Sequence, residues 1–450
     1  MTSEGKVWRA HRTLMMPAFD FKALARLQRI FETATNRLLA NLDVACKSAV
    51  TRTTTGSKPF VRSAETLTPA GDGTCVMEIS STFRQVTLEV ISEVALGMTP
   101  NAAAVFPQLF EVVLDELNER PFHPWRSWVP TIEWPHRANI KRLNDLVTAT
   151  IASRRAERKH TAAGSSAAVA AAAATAAGIT SMTAAGGVGD DADALQMSGS
   201  GAGVSISGKV IFEDGDMLDM LLDSGGELSD RELSDEVKTM LLAGHETSAM
   251  MLTWATYLLA ANPAAMARAV AEVDEVLGVH PSRAATAPPG ARVVEKPTFD
   301  DYRGLRYLEC VLKEAMRLYS PVPLLNRELQ ADDTLGEFRI PAGSTIVVSI
   351  WSIHMNPEIW GPDVADFRPD RFLPEETKRR HPWSFMPFSL GARSCIGQNL
   401  AYTEAKTVLG GLLRSYSLAL PPDHPPPVTD KYVMPLRPAE RLNVIVTPRK

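Results

Sequence analysis

The 450-residue sequence has no apolar run long enough to span a bilayer, and no apolar signal region follows Met1-Thr-Ser-Glu-Gly-Lys. As it stands it reads as a soluble or peripheral chain. It also lacks positive charge in excess. The formal net charge is −5, which offers no footprint to a polyanion and sets nucleic acid aside as a partner. Cysteine is scarce: Cys46, Cys75, Cys310 and Cys395 are widely separated and form no C-x-x-C pair. That spacing points to neither a disulfide scaffold nor a zinc site, so a reducing compartment is the default. No Gly-rich dinucleotide or flavin fingerprint follows a strand. Small molecules and other proteins remain as partners.

Aromatics are missing between Trp134 and Phe212, and residues 160–210 are dominated by Ala, Gly, Ser and Thr. Such a stretch buries too little apolar area to offset its ordering entropy, and it is expected to be a disordered low-complexity insertion. Residues 48–75 read as a second, polar surface insertion. What surrounds them is mostly helical. Apolar spacing predicts helices over Trp8–Leu39, Ile79–Leu96, from His136 to the cations Arg154, Arg155, Arg158 and Lys159, over Asp230–Ala261, and over Tyr307–Tyr319. The cationic end suits a solvated helix C-terminus. Ser229-x-x-Glu232 is a capping box for the 32-residue helix, which at 1.5 Å per residue is about 48 Å long and apolar on most faces. Phe338–Ile340 and Thr345–Ile350, separated by Pro341-Ala-Gly343, read as a strand pair, and Leu442–Val446 as a short strand. The fold class is mainly α with small β-sheets (α+β), in one domain over 1–450.

A lone cysteine is usually a small buried hydrophobe. Cys395 has an unusual setting: Gly391 and Gly397 bracket it, Arg393 precedes it by two residues, and a helix from about Gly397 to Arg414 follows. The glycines permit a tight turn and close approach to a flat partner, the arginine can meet an anionic group, and a helix N-terminus favours a thiolate. A second constellation, Ala243-Gly244-His245-Glu246-Thr247-Ser248, places an acid and an alcohol inside an apolar helix. Tolerance alone is a poor reason for burying them, and Gly244 costs the helix about 1 kcal/mol. Third, Glu314-Ala-Met-Arg317 puts two opposite charges on one helix face.

Phe388-x-x-Gly391-x-Arg393-x-Cys395-x-Gly397 resembles the haem-binding signature of the cytochrome P-450 superfamily at each defining position. A fortuitous match to five fixed residue types in ten is rare. Glu314-x-x-Arg317 together with Phe367-Arg-Pro-Asp-Arg371 resembles the family's Glu-Arg-Arg network, with Asp370 where the family more often has Glu. Trp8-Arg-Ala-His-Arg12 resembles its W-x-x-x-R segment, and His354-Met-Asn-Pro a segment read as structural. The motifs run in family order from Trp8 to Gly397.

The resemblance implies the P-450 fold and haem b (iron protoporphyrin IX) held by the Cys395 thiolate as the iron's axial ligand. It implies that Phe388 shields the sulfur; that Trp8, Arg12, Arg327 and Arg393, with His11 in addition, reach the haem propionates; and that Ala243 and Gly244 leave room for dioxygen. Glu246 and Thr247 would manage protons, and Glu314, Arg317 and Arg371 would form a buried structural network. The implied activity is insertion of one oxygen atom from O2 into an apolar small molecule, with electrons from an NADPH-dependent reductase or a ferredoxin. Rivals are a haem-thiolate isomerase or dehydratase, against which the Glu246-Thr247 pair argues, and a non-catalytic haem-binding remnant. Substrate choice is expected near Phe110–Trp128, Ala243–Thr247, Val322–Leu325 and Val433–Leu436. The family's first sheet and helix elements and its N-terminal membrane anchor have no counterpart before Trp8. The sequence is therefore read as incomplete, expected to bind haem poorly as given, with membrane association only through the missing segment. The endoplasmic reticulum is the expected compartment and the plastid the second.

Overall fold

The computed structural model describes residues 4–48, 66–70, 73–97, 106–120, 123–176, 216–223, 228–286, 290–430 and 435–449. In chain order the helices are α1 Gly5–Met15, α2 Phe21–Lys47, α3 Ile79–Leu96, α4 Phe106–Glu119, α5 Pro130–Ala176, α6 Met217–Asp223, α7 Asp230–Ala261, α8 Pro263–Val276, α9 Phe299–Gly304, α10 Arg306–Leu318, α11 Ile350–His354, α12 Pro357–Trp360, α13 Pro374–Lys378 and α14 Gln398–Ser415. The strands are β1 Leu67–Pro69, β2 Cys75–Glu78, β3 Leu324–Glu328, β4 Asp333–Leu335, β5 Phe338–Ile340, β6 Thr345–Ser349, β7 Tyr416–Ala419 and β8 Asn443–Pro448. They form a four-stranded sheet in the order β1-β2-β8-β7 and two hairpin-sized sheets, β3-β6 and β4-β5.

The central helix forms for the reasons its sequence contains. Ser229 Oγ accepts from Glu232 N while the Glu232 carboxylate accepts from Ser229 N at 2.8 Å, which satisfies two otherwise orphaned amides at the start of α7. Leu241, Leu252, Trp254 and Leu259 are fully buried along it, each worth about 2 kcal/mol of apolar burial. It packs along α3 and against α10, α5 and α14, so α7 runs through the main core. Helix α3 is capped by the Glu78 carboxylate, which accepts from Ser80 N and Ser81 N, and it stops at Gly97, whose φ of +61° a side chain would resist.

Five expectations change. The helix over Trp8–Leu39 is two helices: Pro17 lacks the amide a continuing helix needs, and the Asp20 carboxylate accepts from Ala23 N at 2.7 Å to start α2 afresh. The polar segment 48–75 contributes strands: Leu67–Pro69 pairs with Cys75–Glu78, while 49–65 and 71–72 lie outside the described residues. Helix α5 continues through the Ala-rich stretch to Ala176, in line with alanine's high helix propensity; the rest of the expected disordered insertion, 177–210, lies outside the described residues. Arg154 is no solvated helix end. It is buried, donating to the Asp216 carboxylate at 2.6 Å and to Leu96 O at 2.9 Å. The proposed pairing of 338–340 with 345–350 also dissolves, because β5 pairs with β4 and β6 with β3.

Candidate functional site

A cavity of about 400 Å³ opens where α1, α3, α7 and the loop before α14 meet. From the Cys395 loop it is lined by Phe388, Arg393, Cys395 and Gly397; from α1 by Trp8, His11 and Arg12; from α7 by Ala243, Gly244 and Thr247. Val322 and Leu325 complete the wall beyond α10.

The loop is shaped by its backbone. Cys395 N donates to Phe388 O at 2.8 Å, closing a turn in which Ser389 and Gly391 have φ of +60° and +74°. Gly391 itself does not line the cavity; its contribution is that left-handed turn. A Cβ on Gly397 would lie 3.8 Å from Cys395 Sγ, so the sulfur and the start of α14 are close. Burial pushes the Cys395 thiol above its ordinary value, while the Gly397 amide and the Arg12 guanidinium pull it down.

Positive charge gathers at one end. The Arg393 guanidinium lies 4.3 Å from the Trp8 ring centroid and that of Arg12 lies 5.9 Å from it, while Arg12 Nη1 donates to Ser394 O at 2.8 Å. Two cations on one indole beside an apolar cavity suit a flat apolar group that carries carboxylates. A thiol facing the same space supplies a soft metal ligand. Those residues fit haem. His11 lines the cavity, and its Nδ1 sits 2.8 Å from Glu236 Oε1, which ties it to α7. Arg327 is exposed on β3, donates to Asn326 O at 2.8 Å and does not line the cavity; its strand pairs with β6 in a two-stranded sheet.

The acid and the alcohol of α7 part company. Thr247 lines the cavity and its hydroxyl donates to Ala243 O at 2.6 Å, a bond back into its own helix. Glu246 is 1% exposed and does not line the cavity. It pairs with Arg84 of α3 at 3.1 Å and accepts from Arg437 Nε at 3.2 Å. His245 is fully buried against Phe110, with ring centroids 5.9 Å apart, and burial followed by the charges of Arg84 and Arg437 brings its pKa down to about 3. It is a neutral imidazole. Gly244 lines the cavity, yet a Cβ there would meet Ile91 Cδ1 at 2.7 Å and Cγ1 at 2.8 Å. The missing side chain therefore lets α3 approach α7.

Glu314, Arg317 and Arg371 come together with 0%, 0% and 1% exposure. Arg317 donates to both Glu314 oxygens at 2.7 Å, and Arg371 Nε lies 3.4 Å from Glu314 Oε1. Arg368 N donates to the same carboxylate at 3.0 Å, while the neighbouring Asp370 instead meets Arg268 at the surface. His354 is also internal: Nε2 accepts from Met386 N at 3.0 Å. Of the expected substrate segments, none of the described residues of Phe110–Trp128 lines the cavity: Phe110 packs inside, and Trp125 and Trp128 are 49% and 81% exposed. Val433 lies outside the described residues.

Sequence reasoning missed Arg84, Arg437, Glu236 and Ile91, which belong to no motif. It also missed Glu404, buried on α14, where burial raises the carboxyl to about 8 against a hydrogen bond from Ser248. The one available signal was its place in the apolar stripe of a buried helix.

The family model described as Cytochrome P450 matches residues 1–446. "Cytochrome P450 4c21" of Blattella germanica is 29% identical over 428 residues, covering 92% of this chain and 70% of that one. "Cytochrome P450 4V2" of Homo sapiens is 27% identical, covering 92% and 67%. "Protein LUTEIN DEFICIENT 5, chloroplastic" of Arabidopsis thaliana is 27% identical, covering 94% and 60%. Among solved structures, a cytochrome P450 titled CYP102L1 superposes with a TM-score of 0.70 at 22% identity, covering 100% of this chain and 80% of that one. With the family model matching nearly end to end, the chain belongs to the cytochrome P450 family of haem-thiolate proteins.

Proposed function

We propose that the protein is a monooxygenase that inserts one oxygen atom from O2 into an apolar small molecule, with haem b as its cofactor and a separate NADPH-dependent reductase or ferredoxin as electron source. The observation that carries this reading is that Cys395 and Thr247 line one cavity, with Arg12 and Arg393 gathered on Trp8 beside them. Haem bound there supplies the redox chemistry that activates dioxygen. The chain's own residues do the rest. Cys395 would hold the iron through its sulfur, and Phe388, whose ring lies 5.3 Å from that of Tyr402, would shield that sulfur from water. Arg12 and Arg393 hold the carboxylates.

Thr247 is the hydroxyl placed to pass protons into the cavity. Its bond to Ala243 O fixes the oxygen while leaving it able to accept from water. Glu246, locked by two arginines, acts as a positioning residue that keeps this turn of α7 in place. The apolar wall made by Ile91, Met240, Met251, Val322 and Leu325 favours apolar substrates. Among the described residues no helix is long and apolar enough to cross a membrane; the endoplasmic reticulum is the proposed compartment and the plastid the second, the latter being that printed for the Arabidopsis relative.

The test is spectroscopic and stoichiometric. The haem-loaded protein should give the red-shifted Soret band of a thiolate in its ferrous carbonyl complex, and Cys395→Ser should abolish it; a thiolate-type band surviving in the variant would overturn the assignment. With a reductase, NADPH and O2 should be consumed in step with product. Turnover of a peroxide without NADPH would indicate the isomerase or dehydratase reading instead.

A further inference from the structure

Cys46 and Cys75 lie 29 positions apart, and the fold sets their sulfurs 3.3 Å from each other. Cys46 occupies the last turn of α2; Cys75 opens β2, where it pairs with Val446 of β8. Cys46 Sγ also lies 3.8 Å from Val446 O. Both are buried, at 5% and 0% exposure. As ordinary core residues they would need only apolar neighbours. These two instead have each other: the thiols are hydrogen-bonded, sulfur to sulfur, at the junction of a helix end and a sheet.

Their reactivity is restrained by the same burial. Burial first, and the bond to Cys46 second, push the Cys75 thiol up to about 12, so Cys75 is a poor first nucleophile. Cys46 is the less enclosed of the two and sits where α2 ends, in the turn whose amides open most readily. Once Cys46 has reacted, Cys75 is already in place as the resolving thiol, and proximity replaces intrinsic reactivity.

We propose that Cys46 and Cys75 form a reversible disulfide, made by exchange with a small-molecule disulfide of the glutathione type, that ties α2 to the β1-β2-β8-β7 sheet. The Cys46 thiolate attacks one sulfur of the small disulfide, whose S–S bond breaks and whose departing thiolate takes up the proton Cys46 has lost. Cys75 then gives up its proton and displaces the second small thiol from Cys46, forming the internal S–S bond. Two protons and two electrons pass from the protein to the small disulfide, which leaves as two thiols. Because α2 packs on α14, the helix that continues the Cys395 loop, the cross-link braces the back of the cavity without touching it.

The full 450-residue chain, loaded with haem, should be equilibrated in glutathione buffers from reducing to oxidising, quenched in acid, alkylated after unfolding, digested and weighed. The oxidised sample should contain a peptide joining Cys46 to Cys75 that dithiothreitol removes. Cys310→Ser should retain it; Cys46→Ser and Cys75→Ser should lose it. Chain-entropy arithmetic for a loop of this length predicts a rise in Tm of about 4 °C on oxidation, absent in Cys46→Ser. Should a variant fail to fold, the linked peptide in the unaltered chain decides by itself. Two thiols still fully alkylatable at equilibrium in the most oxidising buffer, or separate glutathione adducts with no linked peptide, would overturn the proposal.

Discussion

Arg437 Nε donates to the Glu246 carboxylate across 3.2 Å, joining the loop before β8 to the middle of α7 from 191 positions away. Arg84 approaches the other oxygen from α3 at 3.1 Å, and Asp115 of α4 lies 3.3 Å from Arg437. One carboxylate thus binds three elements that the main core alone would leave to apolar contact.

Replacing Arg437 by Ala should cost about 2 kcal/mol in urea unfolding. That is less than the 3–5 kcal/mol typical of a stranded buried charge, because Arg84 remains and both arginines are partly exposed to screening solvent. In a Glu246→Gln background the same change should cost under about 1 kcal/mol. Equal costs in the two backgrounds would mean that the pairing is incidental.

The Glu314 network should be far less forgiving. Glu314→Ala leaves Arg317 and Arg371 buried at 0% and 1% exposure, and roughly 3–5 kcal/mol of stability should be lost. Arg317→Lys should also fail to rescue, since an ammonium cannot reproduce the two 2.7 Å bonds of the guanidinium fork. Denaturation midpoints and haem retained after gel filtration give the measurement; a lysine variant with unaltered stability contradicts the fork.

Gly244→Ala pits two effects against each other. Alanine improves the helix by about 1 kcal/mol, but its Cβ would stand 2.7 Å from Ile91 Cδ1, an overpacking worth about 2 kcal/mol. A net loss of about 1 kcal/mol is expected from these two. In an Ile91→Ala background the sign should reverse, because only the helix gain remains. Loss in both backgrounds would show that the glycine serves something other than the approach of α3.

Glu404 provides a pH signature. Its folded-state value is raised from 4.5 to about 8 by burial, so the folded state keeps a proton that the unfolded chain releases. Whatever stability the neutral acid gives is fully present below pH 4.5 and is lost as pH rises through about 8. Glu404→Gln, which cannot ionise, should therefore gain on the unaltered protein as pH climbs across that window and hold a constant advantage above it. Melting curves of the two proteins at matched pH should diverge by a few degrees; parallel curves would place the carboxyl at an ordinary value.

The sequence by itself determined the elements whose signals are local. The bounds of α3 and α7 follow from Glu78, Gly97, the Ser229-Glu232 box and Pro263, because caps and breakers act over three or four residues. The loop around Cys395 was legible for the same reason: turn, thiol and following helix lie within a dozen positions. So were Glu314 and Arg317, one helical turn apart. Where a local signal was misread, as at Pro17 and Asp20, the information was present and the periodicity simply outweighed it.

Tertiary structure alone decided which way those residues face and what they meet. Adjacent positions on a helix diverge by about 100°, so the pairing of letters Glu246-Thr247 says nothing of a shared space; the packing of α3, α4 and the Arg437 loop sends the acid into an ion cluster and leaves the alcohol on the cavity. The regrouping of β3 to β6, the engagement of His11 by Glu236 and the meeting of Cys46 with Cys75 have the same origin. Each depends on contacts between segments distant in the chain, which have no period or spacing to read until the core has closed around them.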